Sequence, residues 1–342
     1  LVERNEKTLR MVARAPDEPV HSVQLYGVDP AVVAVAVAIL VDEIGVDHVD
    51  LNFGCPAPKV TRKGGGAALP AHPALYRQVV RAAVGAAGAV PVTIKMRMGL
   101  DPSNPTALTA ALIAEAEGVA AVALHARTAE QRYSGPAWWG AIAELKQAVT
   151  SIPILGNGDI WEAEDAVAMQ ARTGCDGVVV GRGCLGRPWI FAELAAALAP
   201  VGAGPTPLRP PDRAGPTPAR SQNQTRVLGS VAAVMVDHAS LLAGYMGEPA
   251  GLRDFRKHTG WYLAGFPVGA ENRRRLASVE SLAQLDELLE RLDPDVPLPD
   301  ATRRLPRGHC EGPRPVALPD GWLDNPDDPR PPAEADLAVS GG

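Results

Sequence analysis

The chain has 342 residues, of which 46% are hydrophobic, enough for one large domain and a smaller second one. Its net charge of −6 excludes a surface that attracts polyanions over its whole area, so any nucleic-acid site needs local basic patches. The four cysteines form neither a CxxC pair nor a zinc-type cluster, which predicts reduced thiols, no metal and a cytoplasmic location. No signal peptide is visible, and the longest apolar run, 31–41, is too short to cross a bilayer.

Short Val- and Ile-rich segments alternate with longer Ala- and Leu-rich segments from residue 21 to residue 198. The short segments predict six strands: HSVQLYG (21–27), HVDLNFG (48–54), PVTIKMRMG (91–99), VAAVALHAR (119–127), IPILGNG (152–158) and DGVVVGRG (176–183). We interpret these strands as apolar on both faces, which is typical of a sheet covered on both sides. Helices are predicted between them, at 31–44, 72–87, 104–117, 137–149, 161–173 and 188–198. Asp29 is the predicted N-cap of the first helix and Gly45 its stop. Six consecutive βα units predict a parallel sheet with right-handed crossovers.

Each predicted strand has a polar or reactive side chain at or near its C-terminal end. These residues are Gln24, Asn52 with Cys55, Lys95 with Arg97, His125 with Arg127, Asn157 with Asp159, and Arg182. An open sheet would collect only a few of them at its switch point, whereas a closed barrel brings all strand ends to one face. We therefore predict an α/β fold of the (β/α)8 TIM-barrel type.

The last two strands end in Gly-Asn-Gly-Asp (156–159) and Gly-Arg-Gly (181–183), which are suited to a phosphate group. Glycine lets backbone N–H groups approach the phosphate closely, and Arg182 supplies a fixed cation. The alternative is that both are ordinary βα turns. Because phosphate sites recur after strands 7 and 8 of such barrels, we expect the six units to be units 3 to 8. The barrel is then N-terminally incomplete, and residues 1–15 are the remains of the second unit's helix.

The composition changes twice after the barrel. The predicted domains are a barrel at 1–198, a Pro-rich linker at 199–222, a small all-α domain at 223–292 and a largely disordered Pro-rich tail at 293–342. Helices are predicted in the third domain at 223–246, 250–264 and about 270–292.

Cys55 is the sharpest candidate for chemistry. It follows a strand at the expected catalytic edge, with Lys59, Arg62 and Lys63 close behind, and a nearby cation favours a reactive thiol. The alternative is a small buried hydrophobic residue. Lys95 is costly in a barrel interior unless it faces an anion or an electron-rich group. His125 with Arg127 on the same side indicates a ligand-binding role, although a lone strand histidine is more often a core residue.

Five ordered motifs resemble those of the tRNA-dihydrouridine synthases, a flavin-dependent family. They are DLNFGCPAPKVTRKGGGAAL, VTIKMRMG, LHARTAEQRYSG, ILGNGDI and GVVVGRGCLGRPWIF. HASLLAGYMGEPAGLRDFRKHTGWYL is similar to the C-terminal helical domain of the family, nearest to the bacterial B-type branch. The resemblance covers about residues 1–292.

The resemblance implies an FMN-binding barrel followed by a tRNA-binding helical domain. It implies that Cys55 is the general acid and that nine residues hold or border the flavin: Gln24, Asn52, Lys95, His125, Asn157, Gly158, Asp159, Gly181 and Arg182. NADPH is expected to reduce the flavin, whose hydride goes to C6 of a tRNA uridine while Cys55 protonates C5. The three glycines at 64–66 are interpreted as a lid that closes over the nucleotide.

Seven basic residues are the predicted tRNA contacts: Lys59, Arg62, Lys63, Arg127, Arg253, Arg256 and Lys257. His258 and Trp261 lie near the last three in sequence and are suited to base stacking. We expect a monomer whose RNA binding depends steeply on salt. Two alternatives remain open at this point, a small-molecule FMN oxidoreductase of the dihydropyrimidine type and a truncated, inactive RNA-binding remnant.

Overall fold

The computed structural model describes residues 1–15, 18–199, 226–305, 307–308 and 312–332. The chain divides into two compact units. The first comprises residues 1–159, 167–179 and 311–342, and the second comprises residues 160–166 and 180–310. The second unit resumes at residue 180, earlier in the chain than residue 198, the predicted end of the barrel domain. The predicted linker at 199–222 lies, except for its first residue, outside the described residues.

The first unit contains a six-stranded parallel sheet. Its strands are β1 (Ser22–Leu25), β2 (His48–Phe53), β3 (Val92–Arg97), β4 (Ala121–His125), β5 (Ile154–Asn157) and β6 (Gly177–Val179). They pair in chain order, β1 to β6, and every pair is parallel. All six predicted strands are thus confirmed, and the arrangement is that of a partial TIM barrel.

Helices follow the strands, and their ends agree with the local sequence. Up to α8 they are α1 (Glu6–Met11), α2 (Pro30–Ala38), α3 (Pro58–Thr61), α4 (Pro73–Ala87), α5 (Ala107–Ala116), α6 (Gly140–Ala148), α7 (Ala163–Thr173) and α8 (Ile190–Leu198). The Asp29 side chain caps α2 by accepting from Val32 N. A π-helical turn, Ile39–Ile44, continues α2 to Gly45, which ends it with φ of 73°. This positive φ is the left-handed conformation that glycine adopts at little cost.

The second unit is built around four further helices. They are α9 (Leu228–Met246), α10 (Glu248–Tyr262), α11 (Gly269–Leu276) and α12 (Leu282–Glu290). The predicted single helix at 270–292 is wrong, because it breaks between Leu276 and Leu282. Ser281 starts α12 by accepting a hydrogen bond from Gln284 N, and the intervening Val279 is buried in the core.

Helix α9 is long and apolar enough, by length and composition, to cross a membrane. Its buried residues Leu228, Val231, Met235 and Ala239 recur every three or four positions and join the core of the helical unit. This spacing is typical of an amphipathic helix packed on one side.

Strands β1 to β3 differ from the prediction of two apolar faces. In β2 the residues alternate, with Val49, Leu51 and Phe53 buried and the polar residues between them partly exposed. Strand β3 alternates in the same way from Val92 to Met96, and Arg97 at its end is buried as well. The sheet therefore has one apolar face and one polar face here, because successive side chains of a strand point to opposite sides.

Part of the tail also differs from the prediction of disorder. Trp322 is only 6% exposed, and its indole N–H donates to the Ala68 carbonyl at 3.1 Å. Farther upstream, Val227 and Pro297 form an isolated antiparallel bridge within the second unit. These described tail segments pack against folded parts of the chain.

Candidate active site

The strand register brings most of the predicted site residues of the first unit together. Asn52 lies opposite Lys95, and His125 lies opposite both Arg97 and Asn157. Because all strands are parallel, these positions lie at one edge of the sheet, the edge where active sites of barrel enzymes are found.

A chain of hydrogen bonds crosses the polar face from β1 to β3. Thr93 Oγ1 donates to Asp50 Oδ1 at 2.6 Å, so the hydroxyl oxygen accepts from His48 Nε2 at 2.9 Å. On the other side of the ring, His48 Nδ1 forms a hydrogen bond of 2.6 Å with the Ser22 hydroxyl. Asp50 is the acceptor at the end of this chain.

The same network reaches the cysteine. Gln24 Nε2 donates to Asp50 Oδ2 at 2.6 Å, and Gln24 Oε1 accepts from Asn52 Nδ2 at 2.9 Å. Asn52 Oδ1 accepts from the backbone N–H groups of Gly54 and Cys55, both at 3.0 Å. Asn52 therefore fixes the turn that carries Cys55.

Arg97 holds this turn from the other side. Its side chain is buried, and its Nε donates to the Gly54 carbonyl at 2.9 Å. Its Nη1 donates to the carbonyls of Thr128 and Arg132, in the loop after β4. Arg97 thus connects the turn that carries Cys55 with the loop after β4. The sequence did not predict this role.

Cys55 is half-buried, and its thiol is free. Burial raises the pKa of the Tyr26 phenol, and the negative charge of a Cys55 thiolate raises it further. Tyr26 follows β1, is 41% exposed and lies within electrostatic range of the Cys55 thiol. It is a site residue that the sequence did not single out.

Lys95 is half-buried on the polar face of β3. Burial lowers its pKa to about 8, the nearby Arg97 charge acts in the same direction, and Asp50 opposes both. Among the described residues its ammonium has no hydrogen-bond or ion-pair partner. A half-buried cation of this kind would gain from an electron-rich ligand.

The loop after β4 is held by an ion pair. Arg127 is 2% exposed, and its Nη2 donates to both carboxylate oxygens of Asp159, at 2.7 and 2.8 Å. It also donates to the Gly135 carbonyl at 2.6 Å. The prediction that Arg127 contacts tRNA is therefore wrong, because the guanidinium is enclosed and committed to Asp159. The Asp159 carboxylate is likewise used internally and does not contribute an anion site.

His125 is buried beside this pair. Its Nε2 lies 3.4 Å from Arg127 Nη1, and its ring centroid lies 6.1 Å from that of Tyr133. On the next strand, Asn157 is also buried and donates to the Val179 carbonyl at 2.6 Å. Their contact with a flavin remains a prediction.

Gly158 sits where no side chain fits. Its φ is 127°, and an added Cβ would lie 2.7 Å from Ala137 Cβ and 3.4 Å from His125 Cδ2. The glycine is therefore required by packing around His125, and this explains its presence without a ligand.

Gly181 and Arg182 belong to the second unit. An added Cβ on Gly181 would meet no atom within 4 Å, so the backbone there is open to approach. The Arg182 guanidinium carbon lies 5.3 Å from the centroid of the Trp161 ring, a cation–π contact. Their role in phosphate binding remains a prediction.

The basic residues after Cys55 lie on or next to α3. Lys59 and Arg62 are exposed, and Lys63 is half-buried. The three glycines that follow are buried, and Gly64 and Gly66 have φ of 75° and 55°. The lid interpretation is not supported, because this segment is enclosed by packing.

The predicted RNA contacts on α10 divide into two kinds. Arg253 and Lys257 are exposed and one helical turn apart, and Lys257 pairs with Asp254 at 2.8 Å. Arg256 instead donates to the Val279 carbonyl at 2.8 Å and stabilises the break between α11 and α12.

Two aromatic rings adjoin this part of α10. The rings of His258 and Trp261 lie 5.0 Å apart, edge to face. Burial lowers the pKa of His258 to about 4, and the neighbouring His238 and Lys257 add to this effect. His258 is therefore neutral at pH 7 and is suited to stacking rather than to charge pairing.

The six-stranded parallel sheet, with Cys55, Lys95 and His125 at or near the ends of three consecutive strands, places the first unit among proteins of the TIM-barrel class. The sequence profile of the dihydrouridine synthase (Dus) family matches residues 1–296. The chain belongs to this family.

The chain is similar to several proteins named as tRNA-dihydrouridine synthases. It is 54% identical to the "Probable tRNA-dihydrouridine synthase" of Mycobacterium leprae, covering 100% of this chain and 84% of the relative. The corresponding Mycobacterium tuberculosis protein is 53% identical, with 100% and 83% covered. "tRNA-dihydrouridine synthase B" of Pseudomonas putida is 38% identical over 80% of this chain and 75% of its own length.

Proposed function

We propose that this chain is a tRNA-dihydrouridine synthase that reduces the C5–C6 bond of uridine in tRNA, with Cys55 as general acid. The observation that carries the proposal is the fixed cysteine turn, which Asn52 holds from one side and Arg97 from the other. Family membership supplies the substrate class.

Two groups of residues, one in each unit and each considered by itself, are suited to parts of a flavin nucleotide. The Lys95 ammonium, which has no hydrogen-bond or ion-pair partner in the described part of the chain, would bind an electron-rich atom of the ring system. In the second unit, the open backbone at Gly181 and the Arg182 guanidinium are suited to a phosphate. When bound, FMN reduced by NADPH would supply the hydride.

The residues of the chain would supply position and a proton. The thiol of Cys55 would donate its proton to C5 of the base, and the thiolate would regain one from solvent. Asn52 and Gly54 would keep the thiol at a constant distance from the base, since both are fixed by the hydrogen-bond network. Tyr26 would line the opening through which the base enters.

The test is Cys55→Ala with purified tRNA, read as dihydrouridine formed. We expect a loss of about 10²- to 10⁴-fold in rate, because proton donation is removed. Flavin content, measured by absorbance after denaturation, should stay the same, since Cys55 is not among the residues proposed to hold FMN. Unchanged activity would contradict the proposal, and reduction of free uracil in preference to tRNA would favour the small-molecule alternative.

For tRNA binding we propose two exposed patches, Lys59 with Arg62 on α3 and its end, and Arg253 with Lys257 on α10. Each neutralised phosphate contributes a slope of about −0.7 to −0.9 to log K against log salt. We expect Arg253→Ala with Lys257→Ala to reduce this slope by about 1 to 2, whereas Arg127→Lys should leave it unchanged. A slope near zero for the parent protein would exclude phosphate contact. We further expect a cytoplasmic, monomeric enzyme that uses NADPH.

A further inference from the structure

The C-terminal segment 312–332 belongs to the same compact unit as the sheet. At its start, Arg314 N donates to the Glu130 carbonyl at 3.0 Å, in the loop after β4. Further on, Trp322 is buried against the segment that follows Cys55. The C-terminal segment therefore contacts two loops that leave the edge of the sheet where the candidate site lies.

The Trp322 side chain packs against His72, Ala68 and Gly64. Its ring lies 3.7 Å from the His72 ring, centroid to centroid, and its carbonyl faces His72 Nε2 at 2.5 Å. Its indole N–H donates to the Ala68 carbonyl at 3.1 Å. An added Cβ on Gly64 would lie 2.7 Å from Trp322 Cη2, so the glycine leaves the space that the indole fills.

Two hydrogen bonds connect the binding position of Trp322 with Cys55. Ala67 N donates to the Cys55 carbonyl at 3.0 Å, and the next residue, Ala68, accepts from Trp322. Gly66 lies directly against the cysteine, since an added Cβ would be 2.6 Å from the Cys55 carbonyl oxygen. The segment from Gly64 to Ala68 is thus packed between Cys55 and the indole.

We infer that Trp322 is a positioning residue for Cys55 and that the C-terminal segment is part of the catalytic apparatus. Asn52 and Arg97 fix the backbone on the N-terminal side of the cysteine, at Gly54 and Cys55 N. Trp322 supports its C-terminal side, through the carbonyl. This inference rests on the proposed role of Cys55 as general acid, and no residue of the C-terminal segment need touch the base.

The experiment compares Trp322→Phe and Trp322→Ala with Leu323→Ala. Leu323 is the neighbouring residue and is 42% exposed, which makes its variant a matched control. Three quantities are measured: kcat and KM for tRNA, bound FMN, and the alkylation rate of the Cys55 peptide with iodoacetamide, followed by mass spectrometry. The last readout reports the thiol itself and does not depend on turnover.

For Trp322→Ala we expect kcat to fall by about 10- to 100-fold with little change in KM, because a misplaced acid affects the chemical step. Cys55 alkylation should become several-fold faster as the segment loosens, and FMN content should stay constant. Trp322→Phe keeps the ring but loses the N–H donor, so its effect should be intermediate. Leu323→Ala should match the parent protein.

Each outcome bears on the inference. If both Trp322 variants match Leu323→Ala in kcat and in alkylation while Cys55→Ala is inactive, the positioning role is overturned and the proposed function stands. If Cys55→Ala is active, the proposed function itself fails. If Trp322→Ala does not fold, the Cys55 alkylation rate of Trp322→Phe is the test: a rate above that of Leu323→Ala supports the positioning role, and an equal rate overturns it.

Discussion

The two sides of the candidate site are held together by different chemistry. Between β1 and β3, the connection to Cys55 runs through the side-chain amides of Gln24 and Asn52, which end on Asp50. Between β4 and β5, the loops are held by the ion pair between the buried Arg127 and the partly exposed Asp159. The first arrangement fixes a reactive group, and the second fixes the fold around His125.

The two sides also differ in whether they offer a charged group to a ligand. On the β4–β5 side the charges neutralise each other. On the β1–β3 side the Lys95 ammonium lies within the field of Asp50 but has no direct partner among the described residues. Removing a member of the first network should therefore affect catalysis, whereas breaking the ion pair should affect stability.

The largest effect is expected from Arg127→Ala. Breaking a fully buried pair costs about 3 to 5 kcal/mol. Because the Asp159 carboxylate that is left behind is 24% exposed, we expect a cost near the lower end of that range. Calorimetry should show the transition of the first unit at a lower temperature. The matched control is Arg4→Ala, which breaks the exposed pair with Glu43 and should leave the transition unchanged. If the two variants had the same transition temperature, the ion pair of Arg127 and Asp159 would not be the stabilising contact of the β4–β5 side.

A smaller effect, and one on activity, is expected from Asn52→Ala. The substitution removes the acceptor of the Gly54 and Cys55 N–H groups, so the thiol loses its fixed position. We expect kcat to fall by about 10- to 100-fold with a melting temperature close to that of the parent. Asn52→Asp keeps an acceptor oxygen and should recover part of the rate. A lower melting temperature with normal kcat would assign Asn52 to stability instead.

The strands and most helices could be predicted from the sequence because their apolar periodicity and end signals are local. The helix at 270–292 was predicted as one because Ser281 was not recognised as a cap. The polar face was missed although His48, Asp50 and Asn52 occupy alternate positions of one strand, the pattern of a single face.

Long-range contacts account for the remaining errors. Arg127 was predicted to bind RNA because its partner, Asp159, is 32 residues away and no spacing rule connects them. Trp322 was hidden in a Pro-rich tail, where composition indicates disorder but one buried aromatic anchors the segment. Cys55 could be proposed from the sequence because it follows a strand, whereas its contacts with Arg97 and with the segment against Trp322 depend on the fold.

The smallest expected effect concerns the pH dependence of FMN binding. Burial lowers the pKa of Lys95 to about 8, so the free enzyme loses this cation as the pH rises through that value. Between about pH 8 and the ordinary lysine value near 10.4, the folded state holds fewer protons than the unfolded state, so this group's contribution to stability rises with pH. FMN affinity should change in the opposite direction and weaken above pH 8, by up to about tenfold if the cation contributes about 1.4 kcal/mol.

Fluorescence quenching of FMN from pH 7 to 9.5 measures this dependence, in a range above the titration of the phosphate near pH 6. Lys95→Met should bind FMN more weakly and without the decline above pH 8. Lys95→Arg keeps its charge throughout this range and should also show a flat profile, but at an affinity near that of the parent at pH 7. A decline of equal size in Lys95→Met would show that another group titrates, and the β1–β3 side would then lack the available charge that distinguishes it from the β4–β5 side.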